Sequence, residues 1–484
     1  MLSKADTVAG PTYTRWLAPP AVFLVHMAVG QLNALSVLLP SLATGLEVSQ
    51  ATVGWAYAIA SLFLGIAPAL VGSWIDWQGP RKAILVAAAL FCTGLLLAGV
   101  AVSRGSTIGF VAAYGLVAGF GIGMGYLAPV ATLVRWFPDR PGLASGFSIM
   151  GYGAGGLVGA PLARTIVDAC GRTPDGLQRV FLILAAVYGV AMLAGAWLLR
   201  IPPRGWTPFG FVPPRSTTVV TEIPVAPDVA LKTPQFRGLV IVLLCSAIGG
   251  AGFLGHAAGI FTAMTRSPAD AAAAFVAMLG LANMLGRVVW PIVSDDRGRK
   301  RTFSLMFLVM ALAFCAVPWA AAERSTAGFI VASMVAIACF GGGSAMMPAY
   351  VRDLFGTMGV GAIYGRVLPA RAAAGFLGPV FIVSASGALA TIPAAASHAW
   401  SIVFLVLASI ALIGGLVNRT IRRVDGAKAH LGEMLTMTPF AVKGVAVAAG
   451  SVVSPATVVA WTVVGLPVLW AIADSLLRIV SLVG

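Results

Sequence analysis

Two similar loops carry the most information about the fold: residues 72–82 read GSWIDWQGPRK, and residues 291–301 read PIVSDDRGRKR. In both loops an Asp is followed three residues later by a Gly and five residues later by a basic residue. The two Asp residues, Asp76 and Asp295, lie 219 residues apart. A signature that recurs at a long offset predicts a chain built from two similar halves.

The same offset brings a proline and several glycines of the two halves into register. It places Pro129 on Pro348, Gly142 on Gly361, Gly146 on Gly365, Gly156 on Gly375, and Gly159 on Gly378. We therefore predict two parallel repeats of six spans. In membrane carriers of this kind the substrate site lies near the bilayer midplane, between the repeats.

The composition fits a membrane protein better than any soluble class. Of the 484 residues, 59% are hydrophobic and only 10% are charged, whereas soluble domains carry about 25% charged residues. The mean hydropathy is +0.95. A soluble enzyme, a disordered chain and a nucleic-acid-binding domain are all poor fits, so we expect no nucleic-acid partner.

Apolar runs of about 20 residues, the length that crosses a bilayer, define the predicted helices. They lie near residues 18–40, 53–75, 83–103, 108–133, 142–167, 179–199, 238–264, 271–293, 302–322, 327–351, 360–388, 398–417 and 453–482. The predicted fold class is an all-α polytopic membrane protein with two six-helix bundles and one extra C-terminal transmembrane helix.

The predicted domain organisation follows from these runs and from the polar, Pro-rich stretches between them. It comprises a cytoplasmic N-terminus (1–16), an N-terminal six-helix bundle (17–199), a cytoplasmic linker (200–237), a C-terminal six-helix bundle (238–417), a polar linker (418–452) and an extra transmembrane helix (453–484).

The net charge of +15 has two interpretations. Most Lys and Arg residues fall in loops on one side of the predicted spans, and cytoplasmic loops are the ones enriched in these residues. This predicts a multi-pass protein of the cell inner (plasma) membrane, in contact with the lipid bilayer, with its N-terminus in the cytoplasm. A second interpretation, compatible with the first, is that some cations lie inside the membrane and bind an anion.

Two arginines within the predicted spans are the strongest candidates for such a site. Arg287 lies about 12 Å deeper along its helix than Asp295, and Arg371 about 7 Å deeper than Arg366. A cation at mid-span costs about 2.5–3.5 kcal/mol on insertion scales, so it should face the bundle interior. The twelve spans offer no obvious buried carboxylate partner, which makes an anionic substrate the natural counter-ion. Snorkelling or capping of backbone carbonyls is the alternative.

The N-terminal half offers aromatic residues instead of such cations, and Tyr126 and Tyr152 among them lie at mid-span. The candidates are Trp55, Tyr57, Tyr126 and Tyr152. We predict a site with a cationic wall from one half and an aromatic wall from the other, although single aromatics in spans more often serve packing or interfacial anchoring.

Few titratable residues are available for proton coupling or metal binding. Proton-driven carriers usually contain buried Asp or Glu relays, whereas the interior of the predicted twelve-span bundle offers only His26 and His256 as candidates. Exchange of one anion for another therefore fits better than proton symport. The five cysteines show no metal-ligand spacing, and we expect no metal and no cofactor.

The paired loops resemble the cytoplasmic loop signature of the major facilitator superfamily. In that family the Asp and the basic residues form a network that locks one conformation and breaks in the other. The resemblance implies gating roles for Asp76, Arg81, Asp295 and Arg299. The first copy has Trp77 where Arg is usual, which predicts the weaker lock.

Longer stretches are similar to the oxalate:formate antiporter family within that superfamily. They are residues 121–146, residues 283–295 and residues 348–366. The resemblance implies a twelve-helix alternating-access carrier of small carboxylates, in which two cations hold the substrate within a cage of aromatic rings.

Carried over to this chain, the cation positions are Arg287 and Arg371, the latter where Lys is usual. Tyr126 and Tyr152 match cage aromatics, and Asn33 stands where an aromatic is expected. The last segment, which includes Trp461, resembles a separate single-span subunit found beside some members of the family.

The leading hypothesis is therefore a secondary transporter, not an enzyme, that exchanges a dicarboxylate such as oxalate for formate. Its partners would be small carboxylate anions, and a monomer is compatible with this role. The alternative is a proton-linked monocarboxylate transporter of the formate, lactate or pyruvate class. A membrane enzyme and a non-transporting sensor are further classes, but the sequence shows no nucleophile triad, phosphate loop or soluble signalling domain.

Overall fold

Helices make up most of the chain in the computed structural model. It describes residues 7–203, 206–209, 225–266, 269–356, 359–391, 398–422 and 424, with six isolated positions between 455 and 466. Within these residues, an isolated parallel bridge pairs Val8 with Ile201.

Twelve of the described helical segments are long enough to cross a membrane. They are Arg15–Gly45, Gln50–Gln78, Pro80–Ser103, Thr107–Trp136, Pro141–Cys170, Pro174–Leu198, Pro234–Thr265, Ala269–Arg297, Arg299–Ala322, Thr326–Phe355, Val360–Leu389 and Ala399–Thr420. Eleven combine sufficient length and hydropathy, and Pro141–Cys170 has 30 residues, or about 45 Å of helix.

These spans confirm the predicted class of all-α polytopic membrane protein. The predicted thirteenth span, 453–482, lies almost entirely outside the described residues, as does most of the preceding linker, 418–452.

Glycine and proline make the turns between consecutive helices short. Gly79 and Gly298, which the repeat offset relates, have φ angles of 90° and 85°, values that favour glycine over residues with a side chain. Gly79 is followed by Pro80 at the first position of the next helix, where proline's missing N–H is harmless. A single residue therefore joins the second span to the third, and the eighth to the ninth.

Two spans change their helical geometry near predicted site residues. The first span runs as an α-helix to Val29, as a 3₁₀-helix over Gly30–Ala34, and again as an α-helix from Leu35. The eleventh span breaks at Leu368, between helices Val360–Val367 and Pro369–Ala390, because Pro369 supplies no N–H to the helix.

The chain divides into two compact units. The first contains the described residues of Met1–Thr233, Pro348–Pro369 and Arg422–Leu469, and the second those of Pro234–Met347 and Ala370–Ile421. The boundary at Thr233 lies inside the predicted linker, 200–237. The first unit also takes a short piece of the second repeat, the segment 348–369.

The segment before the first span packs on the ends of the fourth and sixth spans. The Tyr13 ring centroid lies 5.3 Å from that of Trp136, and the Tyr13 hydroxyl donates to the Leu198 carbonyl at 3.1 Å. Burial raises the pKa of Tyr13 above its usual value, so the phenol stays a neutral donor.

Candidate functional site

Arg287 lies in the interior of the second unit. It is only 5% exposed, and its Nε donates to Asn283 Oδ1 at 2.9 Å, one turn earlier on the same helix. Because an amide oxygen is a neutral acceptor, this contact orients the guanidinium without cancelling its charge.

The eighth and tenth spans touch each other backbone to backbone beside this arginine. A methyl group at Gly286 would lie 2.0 Å from the Ala338 carbonyl oxygen, and one at Gly341 would lie 2.2 Å from that of Asn283. Small residues are what allow helices to approach this closely. The Gly341 position is also 3.0 Å from Asn283 Oδ1, so the amide that holds Arg287 lies against the tenth span.

Arg371 is tied to the same turn of the tenth span. Its guanidinium carbon lies 4.9 Å from the ring centroid of Phe340, the neighbour of Gly341, in a cation–π contact. Arg371 also lies in the first turn of helix Pro369–Ala390, the positive end of the helix dipole. In the second unit, Arg371 thus lies over Phe340, and Asn283, which holds Arg287, lies against the neighbouring Gly341.

The acids of the second repeat lie away from the middle of its helices. Between Pro234 and Thr420 they are Asp270, Asp295, Asp296, Glu323 and Asp353, each within three residues of a helix end. The helix interiors of this half therefore carry arginine without acidic residues at the same depth, an arrangement that suits an anionic ligand.

The first unit brings together three of the predicted substrate-binding residues. The rings of Tyr126 and Tyr152 meet edge to face, with centroids 5.5 Å apart at 90°, and both residues are at most 4% exposed. Asn33, on the 3₁₀ segment of the first span, donates from Nδ2 to the Tyr152 carbonyl at 3.4 Å.

Trp55 has a different environment from this cluster. It lies near the start of the second span and is 57% exposed, whereas Tyr126 is 2% exposed. Its assignment to the site stays a prediction that rests on the sequence.

In the first of the paired loops, Asp76 joins three elements of the first unit. Its Oδ1 accepts from Arg135 Nη2 at 2.6 Å, and its Oδ2 accepts from the backbone N–H of Ala362 at 2.8 Å. Ala362 lies in the first turn of helix Val360–Val367, where backbone N–H groups lack helical partners and a carboxylate is favourable. Arg135, from the fourth span, supplies a cation to a loop that has Trp77 at the usual Arg position.

Glycines let the second span and helix Val360–Val367 pack closely around this contact. A methyl group at Gly72 would lie 2.6 Å from the Gly361 carbonyl oxygen, and one at Gly365 would lie 2.4 Å from that of Pro68. Gly361 and Gly365 belong to the register found in the sequence, so the repeat pattern includes positions that are needed for close packing.

Arg81 and Lys300, which the repeat offset relates, both reach the end of a helix. Arg81 donates to the carbonyls of Ala196 and Trp197 at 3.2 Å, and Lys300 donates to that of Ile421 at 2.7 Å. Cations are favourable at the negative C-terminal end of a helix, so each half ties its third span to the end of its sixth.

The second copy of the loop forms a local network. Arg299 pairs with Asp295 four residues earlier and also donates to Ser294 Oγ. The two copies therefore differ, because Asp76 binds a helix distant in sequence whereas this described pair lies within one loop.

Several contributing residues escaped the sequence analysis. Asn283 precedes Arg287 by four residues, the spacing at which helical side chains meet, so this spacing could have revealed it. Phe340 and Arg135 carry no such local signal, because their partners Arg371 and Asp76 lie 31 and 59 residues away.

The chain is similar in sequence to known membrane transporters. The chain is 28% identical over 403 residues to the oxalate:formate antiporter of Oxalobacter formigenes, covering 81% of this chain and 88% of that protein. It is 27% identical over 378 residues to human monocarboxylate transporter 11, covering 75% of each.

The fold is also found among solved structures, and the sequence matches a family profile. The structure of the fucose:proton symporter FucP in its outward conformation matches this chain with a TM-score of 0.63 at 13% sequence identity. The match covers 85% of this chain and all of FucP. The Major Facilitator Superfamily profile matches residues 21–379, which include eleven of the twelve described spans in whole or in part. The chain belongs to the Major Facilitator Superfamily of membrane transporters.

Proposed function

We propose that this protein exchanges small carboxylates across the inner membrane by alternating access, taking a dicarboxylate of the oxalate class in one direction and formate in the other. The observation that carries the proposal is that Asn283, which holds Arg287, lies against Gly341 of the tenth span, while Arg371 lies over the neighbouring Phe340. Two guanidinium groups suit the two carboxylate groups of a short dicarboxylate, since guanidinium binds carboxylate strongly and in a defined geometry.

The proposed binding step has a direct electrostatic consequence. Two like charges in a low-dielectric interior repel, so the second unit is strained when the site is empty and relaxed when an anion lies between the cations. In this proposal the anion lowers the barrier to the rearrangement that exposes the site to the other side. Tyr126, Tyr152, Asn33 and Trp55 are the further substrate-binding residues of this proposal.

The Asp76 contact supplies the proposed gate. We infer that the Asp76 carboxylate holds the start of helix Val360–Val367 against the second span when the cytoplasmic side is closed, with Arg81, Asp295 and Arg299 stabilising the loops on the same side. The support is the pair of hydrogen bonds to Arg135 and Ala362 and the close glycine packing beside them.

The test of the proposed function is counterflow in proteoliposomes. Purified protein is reconstituted into vesicles that contain unlabelled oxalate. Labelled oxalate, formate, lactate or pyruvate is then added outside, and its uptake into the vesicles is measured. We expect rapid exchange of oxalate and formate, and slow uptake into vesicles without internal anion. Absence of counterflow for every small carboxylate would contradict the proposal.

A proton-linked monocarboxylate transporter is the second candidate. It is favoured by the likeness to human monocarboxylate transporter 11 and to apicoplast pyruvate carrier 1 of Toxoplasma gondii. Under this alternative, a pH that is lower outside than inside drives lactate or pyruvate into vesicles that contain no counter-anion.

A further inference from the structure

A histidine in the middle of the first span is completely buried and contacts two other spans. His26 is 0% exposed. Its Nε2 lies 3.0 Å from the Tyr126 carbonyl oxygen, and its Nδ1 lies 3.1 Å from Ser148 Oγ. These residues belong to the fourth and fifth spans, so one imidazole joins three helices of the first unit.

The partners fix the tautomer of the neutral ring. A carbonyl oxygen can only accept a hydrogen bond, so Nε2 carries the hydrogen and donates it to Tyr126. Nδ1 then accepts from the Ser148 hydroxyl. Hydrogen bonds at both ring nitrogens fix the orientation of the imidazole.

The imidazole also forms the first member of a row of rings. His26 and Tyr126 meet edge to face with centroids 5.3 Å apart at 88°, and Tyr126 meets Tyr152 in the same way at 5.5 Å and 90°. Edge-to-face contacts are directional, so the angle of each ring depends on the one before it.

The helices leave His26 little freedom to move. A methyl group at Gly151 would lie 3.0 Å from His26 Cβ and 3.2 Å from the Phe23 carbonyl oxygen. The first and fifth spans are therefore in close contact at this level. Because Tyr152 lies next to Gly151 on the fifth span, a shift of His26 would also shift the helix that carries Tyr152.

We propose that His26 is a positioning residue that fixes the Tyr126–Tyr152 pair and thereby sets the size of carboxylate that the transporter accepts. The inference rests on the proposed carboxylate exchange. Because His26 is fully buried, it acts through the two tyrosines and does not contact the substrate. Replacing it should change affinity and selectivity more than turnover.

Two substitutions separate the two functions of the ring. His26→Phe keeps an aromatic ring beside Tyr126 and removes the donor, whereas His26→Gln keeps an N–H donor and removes the ring. His256→Gln is the matched control, because His256 is the other histidine of a described span and is only partly buried. Its Nδ1 lies 3.3 Å from the Gly252 carbonyl oxygen of the same helix.

The expected result is a change in KM that differs between substrates. We expect the KM for oxalate to rise about threefold to tenfold in His26→Gln, because the edge-to-face pair is lost. We expect a rise of about the same size in His26→Phe, because a buried hydrogen bond is lost. We expect the ratio of the oxalate and formate KM values to shift, with a nearly unchanged maximal rate and pH profile. His256→Gln should match the wild type. Thermal unfolding in detergent verifies that each variant is folded, and His26→Gln decides the question if His26→Phe does not fold.

Three outcomes would overturn the inference. One is an oxalate-to-formate KM ratio in His26→Gln equal to that of the wild type. Another is an equal change in His256→Gln. The third is a pH profile that flattens in both His26 variants, which would make His26 a proton carrier.

Failure of the proposed function is distinguishable from failure of this inference. If wild-type protein exchanges no carboxylate, the proposed function is wrong, and near-ultraviolet circular dichroism then decides whether His26 positions the tyrosines. Loss of tyrosine bands in His26→Gln to the level of Tyr152→Phe would support positioning, and an unchanged spectrum would overturn it.

Discussion

At the scale of single residues, the two arginines of the second unit differ in how they are held. Arg287 is nearly buried and is oriented by an amide oxygen, whereas Arg371 lies over the face of Phe340. Neither of these contacts removes the positive charge. Both therefore preserve the property that a site for an anion requires.

We predict that Arg287→Gln and Arg371→Gln each reduce carboxylate exchange by about 100-fold or more. Each loses charge-assisted hydrogen bonds worth about 1.5–3 kcal/mol apiece, and each leaves the other cation to hold a dianion alone. The measurement is the ratio of maximal rate to KM in counterflow. Arg179→Gln is the control, because Arg179 is exposed at the start of the sixth span; unimpaired exchange by both site variants would refute their role.

Asn283→Asp offers a sharper test, because it changes charge with almost no change in shape. A carboxylate 2.9 Å from Arg287 Nε would form an ion pair and compete with the substrate. Opposite charges 4 Å apart attract by about 4 kcal/mol at an effective dielectric constant of 20, and 1.4 kcal/mol is already tenfold in affinity.

We therefore expect the KM of Asn283→Asp to rise at least about tenfold at neutral pH. The KM should recover as the pH falls and the new carboxyl is protonated. Asn283→Ser, which stays neutral, is the control. A pH-independent KM in the Asp variant would show that Arg287 does not bind the anion.

At the scale of elements, the contact between the second span and helix Val360–Val367 is the part most sensitive to small changes. It depends on Gly72, Gly361 and Gly365, where a methyl group would meet backbone or carboxylate oxygens at 2.4–2.9 Å. Backbone atoms cannot move aside as a flexible side chain can, so added volume must separate the helices.

We predict that Gly365→Ala weakens the closed gate, lowers the maximal exchange rate, and leaves KM nearly unchanged. Overpacking of this kind costs about 1–3 kcal/mol, or a change of about fivefold to 150-fold in the ratio of closed to open states. One measurement is the kinetics of exchange. The other is maleimide labelling of Ser73→Cys in a background without the native cysteines, and Gly365→Ala should increase this labelling.

Gly375→Ala is the control for this experiment. Gly375 lies in the same span, and a methyl group there meets no heavy atom of the described chain within 4 Å. Equal effects of the two substitutions would mean that the glycine contact has no part in gating.

At the scale of the whole molecule, the two repeats share a plan but not their chemistry. Arg81 and Lys300 play the same part in both halves, yet Arg287 and Arg371 lie in one half and the Tyr126–Tyr152 pair in the other. The two halves therefore share helix-end contacts but differ in the residues of their helix interiors.

We predict that transport depends on a counter-anion rather than on a proton gradient. Vesicles loaded with formate should take up labelled oxalate with or without a pH gradient, because the helix interiors of the second half contain no acidic residue to carry a proton. Vesicles without internal anion are the control. Uptake driven by a pH gradient alone would favour the monocarboxylate alternative.

Some features of this protein follow from the amino-acid sequence alone. Hydropathy located the spans, the offset of 219 residues revealed the repeat, and the depth of Arg287 and Arg371 marked them as candidates for an anion site. These signals are local or periodic along the chain, so they can be recognised without a structure.

Other features were decided only by the tertiary structure. Arg135 binds Asp76, Phe340 lies under Arg371, and His26 reaches Ser148, 122 residues away. Each pairing depends on which helices pack against each other. That choice is set by packing between distant segments, a physical property that no local pattern of residues encodes.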